Sequence, residues 1–409
     1  MRDRTAAQVL SSLQGAPASA RFVLRLLQRL AHGTLDVQFP DGASARFGNG
    51  QAPLAGITLK DWRVCDAALK AGDIGFAESY IDGSWTTPHL PALIELMIAN
   101  RDALEQVIYG SWWGTLLHRL RHLVRRNSKT QARKNIHAHY DLGNSFYRLW
   151  LDDSMTYSSA LFSGAAAGAV KGDLTAAQHA KYRRVIDELH LPAASRVLEI
   201  GCGWGGFAEI AAHVQGAHVT GLTLSTEQLA FARERLRAAG LAAQAEFRLQ
   251  DYREEAGQYD GIASIEMFEA VGEQYWPAYF DCVHRNLKPG ARACIQTITI
   301  RDDLFERYRK STDFIQQYIF PGGMLPSPGA FRAQARRAGL RVVDELAFGQ
   351  DYAETLRRWR AAFMARLAEV RELGYDEGFV RTWEFYLAYC EAAFARGNTD
   401  VMQFTLQRD

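Results

Sequence analysis

The fold is decided at residues 197–206, which read Val-Leu-Glu-Ile-Gly-Cys-Gly-Trp-Gly-Gly. The first four residues are typical of a buried strand, and the glycines predict a tight turn that opens a helix. Backbone N–H groups in such a turn can approach a ligand closely. The spacing G-x-G-x-G differs from the dinucleotide fingerprint, and no Lys-Ser or Lys-Thr pair closes it as in a nucleoside-triphosphate loop. The turn predicts either a ligand cradle of another class or a strand–helix corner that binds nothing.

Alternating strands and helices surround this stretch. Helices are predicted at 178–189, from about 205, at 227–239 and at 276–286. Strands are predicted at Arg196–Ile200, His218–Thr223, Ala245–Leu249, Gly261–Ile265, Ala291–Ile300, Arg341–Leu346 and Val401–Leu406. Alternation of this kind predicts an α/β fold with a parallel, doubly wound sheet and helices on both of its faces.

The composition is that of an ordinary globular protein. Of 409 residues, 48% are apolar and 23% are charged, which excludes disordered and fibrous chains. The 47 basic and 46 acidic residues give a net charge of +1, so no global charge bias indicates a nucleic-acid partner. Five cysteines without a CxxC pair favour a reducing compartment and predict no metal site. Because neither a signal peptide nor an apolar run of about 18 residues is found, we expect a cytoplasmic protein.

The chain divides into three predicted parts. Residues 1–110 predict a small α+β domain, with a helix at Ala20–Ala31 and a hairpin whose strands flank Pro-Asp-Gly. Residues 111–135 predict a linker helix. Residues 136–409 predict the domain that carries the glycine turn, with a helical insertion at about 352–396 and a flexible connector at 163–168.

The linker predicted at 111–135 is basic and amphipathic. No Asp or Glu occurs between Gln106 and Tyr140. Tryptophans and leucines recur at helical spacing, and arginines such as Arg121 and Arg125 occupy the other side. This pattern fits a helix that lies on an anionic bilayer surface. It fits equally an interdomain helix that packs its apolar side on the core and leaves its basic side in solvent.

Six further motifs narrow the interpretation of the glycine turn, which itself resembles motif I of the S-adenosylmethionine (SAM) methyltransferases. They are His139–Asn144, Met155–Ser158, Gly221–Ser225, Gln250–Arg253, Met267–Glu269 and Tyr318–Gly323. In this order they resemble the cyclopropane-fatty-acyl-phospholipid synthase family over nearly the whole chain. The resemblance implies the seven-stranded sheet of the SAM methyltransferases, a smaller N-terminal domain that engages lipid, and SAM as the cofactor.

The resemblance also implies which residues hold SAM. They are Tyr157, Ser158, Gly201, Gly203, Thr223, Gln228, Asp251 and Tyr252. The first four would line the methionine end, Gln228 would hold the ribose hydroxyls, and the last two would border the adenine. Gln228 also completes a capping box with Ser225, which would satisfy helix-end donors without any ligand. Both roles are compatible, since one amide has several hydrogen-bonding positions.

The family chemistry implied is alkylation of an unactivated double bond. The alkene is the nucleophile and the sulfonium methyl is the electrophile, so no activated Ser or Cys is required. The protein would supply alignment, exclusion of water and stabilisation of the carbocation. Tyr252 and Phe268 are candidates for the last task through cation–π attraction, although each aromatic residue fits ordinary core packing as well.

A base must then accept a proton, and the resemblance implies a bound bicarbonate. Its predicted ligands are Glu269, Tyr352 and the backbone of Ile298. This sequence has Ser159 at the family's Cys position and Gln296 at its His position, and the latter change predicts weaker anion binding. Glu266 is an additional carboxylate where a small residue is usual, and it is either a salt-bridged or solvent-facing end of a strand or an alternative base. The candidate catalytic set is therefore Glu269, Tyr352, Ser159, Gln296 and Glu266.

These observations predict a SAM-dependent carbon methyltransferase that modifies unsaturated acyl chains of membrane phospholipids. The product would be a cyclopropane or a methyl-branched chain, and the departures at Ser159 and Gln296 favour methylation without ring closure. The resemblance further implies a homodimer bound peripherally to the inner face of the membrane. Two alternatives remain open at this point, namely a small-molecule N-methyltransferase and a SAM- or lipid-binding protein without catalysis.

Overall fold

The computed structural model describes residues 16–101, 142–162 and 172–409. The described residues form two compact units. The first contains residues 16–101, 311–319 and 363–396, and the second contains residues 142–162, 172–310, 320–362 and 397–409. The predicted linker helix at 111–135, the connector at 163–168 and the first residues of the His139–Asn144 motif lie outside the described residues. The domain boundaries given by the sequence stay a prediction.

The first unit is built on a four-stranded sheet in the order β2-β1-β3-β4. Its strands are β1 (Thr34–Gln38), β2 (Ser44–Gly48), β3 (Leu54–Leu59) and β4 (Trp85–Thr86). The predicted hairpin forms, because β1 pairs with β2 in antiparallel register from Gln38↔Ser44 to Thr34↔Gly48. The helices of this part of the chain are α1 (Ala18–Leu27), α2 (Arg63–Ile81) and α3 (Leu90–Ala99).

The second unit is built on a seven-stranded sheet in the order β10-β11-β9-β8-β5-β6-β7. Its strands are β5 (Arg196–Ile200), β6 (His218–Thr223), β7 (Ala245–Leu249), β8 (Tyr259–Ile265), β9 (Leu287–Ile300), β10 (Leu340–Ala347) and β11 (Thr399–Arg408). Among the described residues, the remaining α-helices are α4 (Gly143–Tyr147), α5 (Leu174–Leu189), α6 (Gly206–Gln215), α7 (Thr226–Ala238), α8 (Trp276–Asn286), α9 (Asp302–Tyr308), α10 (Pro328–Arg337), α11 (Gly349–Ala365), α12 (Leu367–Glu372) and α13 (Glu377–Ala395). The predicted seven-stranded α/β sheet is confirmed.

The sheet differs from the prediction in one respect, since it is mixed rather than wholly parallel. Strands β5 to β9 run parallel to one another, but β11 lies antiparallel between β9 and β10. Strand alternation along the sequence does not record direction, and the long helical segment before β11 lets that strand return in the opposite sense. The insertion of β11 places Gln403 directly opposite Gln296 on β9.

Both faces of this sheet are covered by helices. Along β5, Val197 packs with residues of α5, α6 and α7, whereas its neighbour Leu198 packs with residues of α8 and α10. Successive strand side chains point to opposite faces, so a continuous apolar run such as β5 is buried on both sides. The buried sheet holds the ends of its parallel strands rigidly. No helix within the described ranges has the length and apolar character needed to cross a bilayer.

Candidate active site

A cavity lies at the carboxyl ends of β5, β6, β7 and β8, where ligands bind in open α/β sheets. All the residues predicted to hold SAM line it, namely Tyr157, Ser158, Gly201, Gly203, Thr223, Gln228, Asp251 and Tyr252. Glu266, from the catalytic set, lines it as well. The fold therefore brings residues from positions 157 to 266 to a single site.

The glycine turn after β5 adopts backbone angles that favour glycine. Gly201, Gly203 and Gly205 have φ values of 86°, 50° and 81°. A Cβ at Gly201 would lie 2.8 Å from the Met267 side chain, whereas a Cβ at Gly203 would meet no atom within 4 Å. Since Gly203 lines the cavity, the missing side chain leaves room there for a ligand.

The turn after β6 positions Gln228. The side chain of Ser225 caps α7 by accepting a hydrogen bond from the backbone N–H of Gln228 at 3.3 Å. In a full capping box the Gln228 side chain would bond back to the backbone N–H of Ser225. Here that N–H donates instead to Thr223 Oγ1, and the same hydroxyl donates to Gln228 Oε1 at 2.9 Å. The cap is thus only half a capping box, and the Gln228 amide is held against the cavity by Thr223.

The turn after β7 carries a buried ion pair. Asp251 accepts hydrogen bonds from the guanidinium of Arg253 at 2.8 and 2.6 Å and from its backbone N–H at 3.0 Å. Tyr252 packs edge-on against Tyr279 with ring centroids 5.5 Å apart, and burial raises the pKa of its hydroxyl. The pair fixes the loop in which Asp251 and Tyr252 line the cavity.

Two charged residues near the cavity were missed by sequence reasoning. Glu199 lines the cavity, and its Oε2 is buried without a hydrogen-bond partner among the described residues. Burial raises the pKa of this carboxyl well above its ordinary value. Lys181 is fully buried and donates hydrogen bonds to Ser158 Oγ at 2.5 Å and to Gln178 Oε1 at 2.7 Å. Glu199 could have been identified from the sequence, because it is an acidic residue inside an otherwise apolar strand. No feature of the sequence indicated that Lys181 is buried.

The predicted catalytic residues converge on the carboxylate of Glu266. Its Oε1 accepts hydrogen bonds from the backbone N–H of Ser159 at 2.8 Å and from Gln296 Nε2 at 2.7 Å. Its Oε2 accepts a hydrogen bond from the Tyr352 hydroxyl at 2.6 Å. Ser159 contributes its backbone only, because its hydroxyl donates to the carbonyl of Ala160. Glu266 is therefore neither a salt-bridged surface residue nor a solvated strand end.

The amide of Gln296 is oriented by a chain of side chains. Gln403 Nε2 donates to Gln296 Oε1 at 2.9 Å, and Arg184 donates to Gln403 Oε1 at 2.5 Å. Arg184 also pairs with Asp344. Because Gln296 accepts on its oxygen from Gln403, its NH₂ group must face Glu266. Gln296 carries no charge, but its NH₂ group is therefore oriented to donate a hydrogen bond to Glu266.

Glu269 lies beside this cluster. Its Oε1 accepts a hydrogen bond from the backbone N–H of Ile298, the contact that the resemblance implied for the anion. Burial, reinforced by the charge of Glu266, raises the pKa of Glu269 to about 8. Burial also raises the pKa of Glu266, but the Lys181 ammonium and three hydrogen bonds oppose that rise. At neutral pH Glu269 therefore keeps its proton, and the three hydrogen bonds and the charge of Lys181 favour the ionised form of Glu266.

Aromatic side chains surround Tyr157 next to the cavity. Its ring lies 5.4 Å from Tyr147, 5.5 Å from Trp150 and 5.4 Å from Trp359, measured between ring centroids. Phe268 belongs elsewhere, because it is fully buried in the core against Trp276. Of the two aromatic candidates for cation stabilisation, Tyr252 lines the cavity and Phe268 does not.

Comparison with known proteins identifies the family. The family model described as mycolic acid cyclopropane synthetase matches residues 127–404. The chain belongs to this family. Tuberculostearic acid methyltransferase UfaA1 of Mycobacterium tuberculosis is 40% identical over 398 residues, covering 96% of this chain and 92% of the relative. Cyclopropane-fatty-acyl-phospholipid synthase of Escherichia coli is 35% identical over 365 residues, covering 88% of this chain and 89% of the relative.

A solved structure from the same family is similar to this chain in its fold. Mycolic acid cyclopropane synthase CmaA1, complexed with S-adenosylhomocysteine and CTAB, has a TM-score of 0.63 and 31% identity, covering 68% of this chain and 98% of its own. The resemblance inferred from the motifs is confirmed, and the protein is a SAM-dependent methyltransferase. Its cavity fits SAM, because it offers open space at Gly203 and a buried carboxylate oxygen of Glu199 that no described residue hydrogen-bonds.

The same family resemblance implied bicarbonate, and the residues present do not fit it. Two of the predicted contacts, from the Gln296 amide and the Tyr352 hydroxyl, are already made to the carboxylate of Glu266, which also accepts a hydrogen bond from the backbone N–H of Ser159. A third, from the backbone N–H of Ile298, is made to Glu269, which was itself a predicted ligand. A second anion at this position would have to displace a side chain of the protein itself.

Proposed function

We propose that this methyltransferase adds a carbon to the double bond of unsaturated acyl chains in membrane phospholipids. The observation that carries the proposal is the meeting, in one cavity, of the residues predicted for SAM with a hydrogen-bonded carboxylate, Glu266. The names of two relatives support the substrate class, since one is a synthase of cyclopropane fatty acyl phospholipids and the other a tuberculostearic acid methyltransferase.

The chemistry requires little covalent participation from the protein. SAM supplies an electrophilic methyl group when it is bound. The buried rings of Trp150 and Trp359 pack around Tyr157 and hold it at the cavity wall, where its ring helps to exclude water. Tyr252 is available at the cavity wall to face positive charge that develops on the alkene. Glu266 is an acceptor for the proton that must leave.

We favour methylation without ring closure as the main outcome and keep the cyclopropane as the alternative product. Ring closure requires a base that reaches the added methyl group, whereas loss of a proton from the chain requires one that reaches a neighbouring carbon. Glu266 replaces a freely bound anion with a base tethered to β8. The resulting restriction in reach supports a methyl-branched unsaturated chain.

We also propose that the protein works at the membrane surface as a peripheral protein on its inner face. The basic segment at 111–135 would contact anionic headgroups, and the N-terminal α+β domain would help to engage the lipid. Packing of that segment on the protein core is the competing interpretation. A homodimer is proposed on the same family resemblance.

Transfer of labelled methyl groups to vesicles tests the proposed function. Purified protein would be incubated with SAM labelled in its methyl group and with vesicles of either unsaturated or saturated phospholipid. We expect label in the acyl chains of the unsaturated lipid only, and none with a Gly203→Val variant. Label in the headgroup, or in neither lipid, would contradict the proposal.

A further inference from the structure

The geometry points to Glu266 as the proton acceptor of the reaction, a carboxylate of the chain itself in the place that the family resemblance gives to bicarbonate. This inference rests on the proposed function, because it concerns the step that ends the alkylation of the alkene. It deepens that function by assigning the proton to Glu266 rather than to a bound anion, which makes the reaction independent of dissolved bicarbonate.

The hydrogen-bond donors around Glu266 carry the inference. They come from three separate parts of the second unit, the loop at Ser159, the strand β9 and the helix α11. Each distance lies between 2.6 and 2.8 Å. A carboxylate offers about four lone-pair positions, and the donors occupy three of them. Since Glu266 also lines the cavity, one position remains for a proton from the substrate.

The backbone at Glu266 is a second, independent observation. Its φ of 50° lies in the left-handed region, which a residue other than glycine rarely adopts. Its N–H donates to the carbonyl of Gln296 at 2.8 Å, so the strained conformation is fixed by β9. Backbone strain of this kind persists where the surrounding structure enforces it, and it is concentrated at functional sites. Here it turns the carboxylate at the end of β8 toward its donors.

The electrostatic surroundings suit a base. Lys181, fully buried nearby, provides the positive charge that favours an ionised Glu266. The neighbouring carboxyl, Glu269, retains its proton at neutral pH and so leaves a single negative charge in the cluster. The chain Arg184–Gln403–Gln296 directs a further donor at the same carboxylate. These surroundings favour the ionised form of Glu266, which is the form that accepts a proton.

The step balances without any additional reactant. When the alkene carbon forms its bond to the methyl group, the carbon–sulfur bond breaks and its electron pair stays on sulfur. The other alkene carbon is then positively charged. A C–H bond next to it gives its electron pair to a new carbon–carbon bond, and its proton passes to Glu266, which becomes a neutral acid. The proton is afterwards released to solvent, and no oxidant or reductant is consumed.

Two variants separate this role from a structural one. Glu266→Gln keeps the size of the side chain but cannot accept the proton, and we expect kcat to fall by about 100-fold or more. Glu266→Gly suits the positive φ and removes the carboxylate, leaving the three donors free to bind an added anion. We expect bicarbonate or formate to restore the activity of Glu266→Gly by about tenfold or more in a saturable manner. Wild-type activity should be unchanged between bicarbonate-depleted and bicarbonate-supplemented buffer.

Calorimetry supplies a readout that does not depend on turnover. Bicarbonate should bind to Glu266→Gly and not to the wild-type protein. The matched control is Glu273→Gln, which alters a carboxylate paired with Arg309 away from the cavity and should behave as wild type in both measurements.

Bicarbonate dependence of the wild-type protein, or full activity of Glu266→Gln, would overturn the inference. If the wild-type protein transferred no methyl group to lipid, the proposed function would fail. The calorimetric comparison would still decide whether Glu266 fills the anion position, so the two failures are distinguishable.

Discussion

The hydroxyl of Tyr352 donates a hydrogen bond to Glu266 Oε2 at 2.6 Å, joining the first turn of α11 to the end of β8. The two residues are 86 positions apart in the chain. Each was identified by sequence as a candidate for the same reaction, one as a ligand of an external anion and the other as an additional carboxylate. In the structure, the predicted anion ligand Tyr352 binds the additional carboxylate Glu266. The cluster therefore holds a carboxylate of the protein where an external anion was predicted.

Replacement of Gly203 should weaken SAM binding because the new side chain occupies the cavity, and not because the backbone changes. Gly203→Val forces a side chain into space that is empty in the cavity, and we expect SAM affinity to fall on the order of tenfold or more. Gly216→Val is the matched control, because Gly216 ends α6 with a φ of 61° and also has open space around a Cβ. Both variants should lose about 1–2 kcal/mol of stability from the left-handed backbone. Calorimetric titration with SAM that gave equal affinities for the two variants would remove the assignment.

Lys181 should control the pH dependence of turnover. Its ammonium lowers the pKa of Glu266, so Lys181→Met should raise that pKa further. A base with a higher pKa is protonated over a wider range at low pH. We therefore expect the acidic limb of the kcat profile to move to higher pH in the variant, with activity recovering as the pH rises. Measurement at saturating SAM separates this effect from the contact between Lys181 and Ser158. An acidic limb at the wild-type position would contradict the electrostatic pairing.

Glu269 should make the folded protein less stable as the pH rises. Its pKa is raised from 4.5 to about 8 on folding, mainly by burial, so the folded state holds the proton more tightly than the unfolded state. The free energy of unfolding therefore declines with rising pH across this window, by up to about 1.4 kcal/mol per pH unit for this group. Glu269→Gln should remove that contribution and flatten the profile. Urea denaturation between pH 5 and about 8 would show it; an unchanged slope would mean that Glu269 is ionised in the folded protein.

The basic segment should bind anionic vesicles in a salt-dependent manner. Charge reversal of Arg121 and Arg125 to Glu is expected to weaken sedimentation with anionic vesicles and to leave SAM affinity intact. Reversal of Arg336 and Arg337, which are exposed on α10, makes the same change in net charge and should have a smaller effect. If the two double variants bound vesicles equally, or if neutral and anionic vesicles were bound alike, packing of the segment on the core would be favoured.

The local patterns in this sequence predicted the strands that carry the site. Strands β5, β6 and β7 begin and end where the apolar runs predicted, because each is a buried segment bounded by clear turn residues. The glycine turn was equally informative, since positive φ values at Gly201 and Gly203 require that residue type. Burial of an apolar run and a positive φ at a glycine each constrain only a few consecutive residues, so the local sequence is enough to predict them.

The arrangement around Glu266 could not be predicted in the same way. Its donors come from positions 159, 296 and 352, and only the tertiary fold brings them together. The antiparallel entry of β11 places Gln403 opposite Gln296, and nothing in the apolar pattern of that strand records its direction. Lys181 lies on an amphipathic helix, where a lysine is ordinarily exposed, so its burial beside Ser158 was missed.

The fate of the deuterium in a labelled methyl group distinguishes loss of a proton from the acyl chain from closure of a cyclopropane ring. The purified protein would be given SAM with a fully deuterated methyl group and vesicles of a mono-unsaturated phospholipid, and the acyl chains would be examined by mass spectrometry. Loss of a proton from the chain leaves every deuterium in place, whereas ring closure removes one of them. We predict a branched, still unsaturated chain that retains all the deuterium. A product lacking one deuterium and the double bond, or unlabelled lipid, would contradict the account.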